Sequence, residues 1–168
     1  MSEPKSVLVA VADNKPIKQQ GYDNMSIVYH TDAVVSLESQ SNFLNSIRNI
    51  DNNAIKDFYC FMSPNSDFTN NDSLKKIIDF FNNDEYIGIV LADSIHQYDG
   101  FSSYQYTHPN ILDSDLISFC IRGSILERLE FSNKEHIFQK ALYDINQKGH
   151  VIFHIAEPLF TIHKEGSA

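Results

Sequence analysis

The chain has 168 residues, a net charge of -9 and 42% hydrophobic residues. That length suits one domain, 1–168, with a core of its own. The thirteen Lys and Arg are scattered and form no basic stripe, which argues against a nucleic-acid surface. No apolar run approaches the ~18 residues of a membrane span.

The opening residues, Met1 to Lys5, lack the charged-then-apolar layout of a signal peptide, so a cytoplasmic protein, or one assembled into a particle, is expected. Val7 to Ala12 is a continuous apolar run and reads as a central strand of a parallel sheet. Asp13 to Asn24, with Pro16 and Gly21, reads as a loop. Met25 to His30 is a second strand, ending at Thr31 and Asp32. Phe43, Leu44, Ile47 and Ile50 follow helical spacing, so a helix is expected between Glu38 and Ile50.

Phe58 to Met62 reads as a buried strand that stops in Pro64, Asn65, Ser66 and Asp67. Turn formers dominate that stop, so a plain turn is one account of the triplet 65–67. Asp72 and Ser73 cap a predicted helix whose apolar face is Leu74, Ile77, Ile78 and Phe81. Tyr86 to Ala92 is a further apolar strand. Strand and helix thus alternate from Met25 to Ala92, which predicts an α/β fold with a mixed, mostly parallel sheet flanked by helices.

Tyr98 to Asn110 is polar and aromatic and reads as a loop with a short strand. Its Phe101, Tyr104 and Tyr106 suit stacking on a sugar or docking on a protein. Leu116 to Arg122 is a strand, followed by a short helix over Ser124 to Leu129. Lys134 to Lys148 carries Ile137, Phe138, Ala141, Leu142 and Ile145 on one face and stops at Gly149, a helix C-cap. Val151 to Ile155 and Leu159 to Ile162 read as two strands broken by Glu157 and Pro158. Cys60 and Cys120 lie in apolar runs without a CxxC and read as reduced core residues. His150 and His154 alternate with core positions and call for no role. Asp113 and Asp115 precede a strand and read as a cap or turn.

The order of these segments, from Asn42 through Asp57 to Asp67, then Phe119 to Leu129 and Gly149 to Ser167, resembles the family-2 glycosyltransferases of the GT-A fold. The resemblance implies a single nucleotide-sugar-binding domain that transfers a sugar from a nucleotide-diphosphate donor to an acceptor. It implies Mn²⁺ or Mg²⁺ held at Asp67 and His163, a Lewis acid for the departing diphosphate. Asn65 and Asp32 would contact the donor. Glu135 would be the base for the acceptor hydroxyl, although an acidic residue at a helix start is also favoured by the macrodipole. The stretch 13–24 is too short and too broken for the helix the family places there. That departure supports the alternative: a copy without catalysis, serving as an interaction or structural module within a virion or other multiprotein assembly.

Overall fold

The computed structural model describes residues 5–11, 16–29, 56–62, 65–106, 118–128, 144–145 and 147–164. The expected helix at 38–50, the acidic pair Asp113 and Asp115, and both Asp32 and Glu135 lie outside the described residues. Among the described residues eight strands and two helices follow in chain order. They are β1 (Val7–Val11), β2 (Met25–Tyr29), β3 (Phe58–Met62), β4 (Ser66–Phe68), α1 (Ser73–Asn83), β5 (Ile87–Tyr98), β6 (Phe101–Gln105), β7 (Phe119–Arg122), α2 (Gly123–Arg128) and β8 (Val151–His163).

These strands form one sheet in the order β2-β1-β3-β7-β5-β8-β4, with β6 paired to β5 off that path. β1 pairs with β2 and β3 in parallel, and β5 pairs with β8 in parallel. The other four pairings, β3·β7, β5·β7, β5·β6 and β4·β8, are antiparallel. Among the described residues strand outweighs helix, 52% against 19%, in a curled mixed sheet. The expected α/β architecture is therefore corrected: this is not a mostly parallel, helix-flanked GT-A sheet.

The physical reason for the miss lies in three segments. Ser94 to Tyr98 and Phe101 to Gln105 are polar, yet they pair from Ser94↔Gln105 to Tyr98↔Phe101 about the Asp99-Gly100 turn, extending β5 well past Ala92. Ser66 to Phe68, read as a turn or a metal position, is a strand against β8. Pro158 does not break the last strand. It sits where the register of β8 shifts twice, around Asp93, and a bulge accommodates a residue with no N–H to donate.

The apolar runs do what their composition dictates. β1 and β3 are buried at every position, and β5 is buried from Ile87 through Ser94. Leu74, Ile77, Ile78 and Phe81 turn the inner face of α1 onto the core. There Phe81 stacks on Phe58 at 4.6 Å and Phe80 on Phe153 at 4.6 Å. Asp72 makes no side-chain cap to α1. The cap comes from far off in sequence, since Gln20 Oε1 accepts from Leu74 N–H at 2.9 Å. At the other end of α1, Arg122 donates to the carbonyls of Phe81, Asp84 and Ile87.

Gly149 has φ 78, and His150 N–H donates to Ile145 C=O at 3.2 Å, a Schellman stop as expected for that glycine. Cys60 and Cys120 are free and fully buried, as expected, and they face each other in the β3·β7 register.

Candidate functional site

Beyond Ala92 the long strands β5 and β8 leave the apolar core and run on between β6 and β4. Side chains directly opposite in a ladder point to the same face. One cross-strand row is therefore Tyr104, Ile95, Thr161 and Asp67. The next row is Ser102, Gln97 and His163, completed by Asn65, whose carbonyl accepts from His163 N–H at 2.8 Å. Strand spacings of about 4.8 Å make each row about 14 Å long. Thr69 extends the face and joins it by a hydroxyl contact to Thr161 at 3.0 Å.

The opposite side of the same strands carries Phe68 and Phe160, ring to ring at 5.7 Å and buried in the core. Alternation thus turns Phe68 and Phe160 to the core and leaves Asn65, Gln97, Ser102, Tyr104 and His163 exposed on the upper face.

Asp93 anchors one end of that face. Its carboxylate is fully buried. Oδ2 accepts the Tyr104 hydroxyl at 2.5 Å, and Oδ1 lies 2.6 Å from His154 Nε2. The His154 side chain remains 35% exposed. A buried carboxylate demands such partners, because an unsatisfied charge in the interior is costly. The bond to Asp93, then burial and neighbouring negative charge, push the Tyr104 phenol up to about 12. Tyr104 and Tyr106 stand 43% and 69% exposed with their rings 5.0 Å apart, tilted over this end of the face.

Three of the residues singled out from sequence meet on the β4·β8 ladder. Asp67 lies opposite Thr161, and His163 is its diagonal neighbour beside Asn65. Asp67 Oδ1 accepts from both Lys18 N–H and Phe68 N–H at 2.7 Å, so this oxygen holds the loop and strand together. Oδ2 and the His163 imidazole are what the pair offers to a cation. Asn65 adopts φ 60, a left-handed turn conformation that asparagine tolerates. Among the described residues no group of three or more His, Cys, Asp and Glu is gathered to hold a metal.

No family model and no curated protein matches this chain. Function must be read from the face itself. Tyr104 and Tyr106 were singled out in the sequence for stacking or docking; Asp93 was missed, and His154 is corrected from a residue without a role to a partner of the buried carboxylate. The signal for Asp93 was present as an Asp that ends the apolar run 87–92. No helix among the described residues is long and apolar enough to cross a membrane.

Proposed function

We propose that this chain recognises a saccharide on the face formed by β6, β5, β8 and β4. The observation that carries this reading is the exposed Tyr104 and Tyr106 pair set against the buried Asp93 and its partner His154. A sugar presents apolar C–H faces and a rim of hydroxyl groups. Tilted aromatic rings suit the first, and fixed acceptors and donors suit the second. Gln97, Thr161, Asp67 and His163 extend that rim along the two rows. The test is an NMR titration with neutral mono- and disaccharides, read at the amides of 93–98 and 101–106. Tyr106→Ala should weaken binding about tenfold while leaving stability within about 0.5 kcal/mol. Equal affinity in the variant, or shifts confined to residues far from these strands, overturns the reading.

A second reading, sugar transfer from a nucleotide-diphosphate donor, is favoured by the convergence of Asn65, Asp67 and His163 on one ladder. Asp67 Oδ2 and His163 would hold a divalent cation, which when bound offsets charge on the departing diphosphate. The test is release of nucleoside diphosphate from UDP- and GDP-sugars with Mn²⁺. Loss of that release in Asp67→Ala supports transfer, and no release from the unaltered chain removes it.

A further inference from the structure

A second site lies at the opposite end of the sheet, where β1 and β3 begin. A cavity of about 400 Å³ is lined there by Lys5, Lys56, Asp57, Asn82, Glu85, Arg122 and Ser124 over the rings of Phe58 and Phe81. That volume is in the range of small-molecule sites. We infer that this cavity binds a sugar phosphate, or another hydroxylated phosphomonoester, independently of the saccharide face.

Arg122 sets the orientation of the anionic half. Its guanidinium carbon lies 5.5 Å from the Phe58 ring centroid and 5.3 Å from that of Phe81. Nε donates to Ile87 C=O, and Nη2 donates to the carbonyls of Phe81 and Asp84. These bonds hold the planar group in one pose and leave Nη1 for a ligand. With Nε and Nη2 spent on carbonyls, Nη1 offers a phosphate oxygen a charge-assisted contact in a fixed position rather than a two-pronged one. Lys5 and Lys56 bring two further cations to the same cavity.

The other half of the lining selects against a bare anion. Asp57 uses Oδ2 to accept from Ser6 N–H and hydroxyl, which fixes its carboxylate at the wall. Together with Glu85, Asn82 and Ser124 it presents acceptors and donors that suit hydroxyl groups. An inorganic anion would meet the cations and also two carboxylates. A ligand with a phosphate head and a hydroxylated body satisfies both halves.

The experiment titrates the full chain with glucose 6-phosphate, inorganic phosphate and glucose, read by NMR at the amides of Asn82, Glu85 and Ser124. Glucose 6-phosphate should bind at least about tenfold more tightly than phosphate, with glucose alone silent at these amides. The Lys5→Glu and Ser124→Ala double variant changes only exposed cavity-wall side chains and should weaken that binding about tenfold with its melting temperature kept. Phosphate and glucose 6-phosphate binding equally, the variant binding as the unaltered chain does, or no shift at millimolar ligand would each overturn the proposal. Tyr106→Ala serves as a control and should leave the titration unchanged.

Discussion

Asp93 and Tyr104 are joined across the β5·β6 ladder by a 2.5 Å bond from phenol to buried carboxylate. The bond holds the phenol neutral, so its ionisation is pushed up to about 12 against an ordinary value of 10.0. Because the folded value lies above the unfolded one, the stability it contributes is whole below about pH 10 and is lost as pH rises towards 12. Tyr22 is also raised, by burial and then by Asp57 and Asp79; an ultraviolet titration should show a tyrosine titrating at about 12 that disappears in Tyr104→Phe. Asp93→Asn should return that tyrosine towards the ordinary range and cost about 2 kcal/mol in chemical denaturation. Persistence in Tyr104→Phe of the tyrosine that titrates at about 12 refutes the assignment, since the other raised phenol, Tyr22, is untouched by that change.

Burial of the His96 ring, and then the charge of Lys164, hold its imidazole below its ordinary range. Protonation therefore favours the unfolded chain. The contribution of His96 is whole above about pH 6.5 and is lost as pH falls from there through the depressed folded value. Denaturation midpoints measured between pH 7 and 5 should fall less steeply in His96→Gln than in the unaltered chain. Parallel slopes would count against this account.

Gly123 begins α2 where the chain passes against the start of β3. A Cβ there would lie 1.9 Å from the Lys56 carbonyl oxygen, and Gly123 N–H already donates to Asp57 C=O at 2.7 Å. Backbone cannot yield as a side chain can. Gly123→Ala should therefore destabilise by more than the about 1–3 kcal/mol typical of overpacking. Urea denaturation measures it, and a loss under about 1 kcal/mol would contradict the close approach.

Phe160 and Phe68 face each other under the polar rows. Both are 1% exposed, so either change to Ala should cost about 3–5 kcal/mol. Thr161→Ala, one residue along and on the other face, should cost far less. Similar losses at 160 and 161 would refute the split between the two faces.

Cys60 and Cys120 are 0% exposed, and burial with the neighbouring thiol pushes Cys120 up well above its ordinary range. Thiolate is the reactive form, so both thiols should resist an aromatic disulfide reagent in the native state and react on unfolding. Rapid labelling of folded protein would overturn this.

The parts legible in sequence were those that bury apolar surface with a clear period. Val7 to Val11, Phe58 to Met62 and the inner face of α1 announce themselves because nearly every residue is decided by the core. The architecture was not legible, because the strands that make the sheet mixed are half polar. Ser94 to Tyr98 and Phe101 to Gln105 carry their alternation in Ser, Gln, His and Tyr, which apolar periodicity does not register. The candidate site was half legible for the same reason. Asp67, Asn65 and His163 stood out by residue type near strand ends. Asp93 was hidden at the end of an apolar run, and its partners Tyr104 and His154 lie 11 and 61 residues away.

The two strands that carry the upper face are the same two that cross the core. β5 and β8 stay in register from Ile87↔Val151 to Gln97↔His163, interrupted only by local shifts. The face proposed for saccharide is thus an overhang of the central sheet and not a flap hinged to it. Amides of 94–97 should exchange with solvent deuterium on the timescale of global opening rather than of a loop. A saccharide bound there as proposed would meet a shelf whose backbone is already set, so binding would forfeit little main-chain entropy and selectivity would rest on the rotamers of Tyr104, Tyr106 and His163.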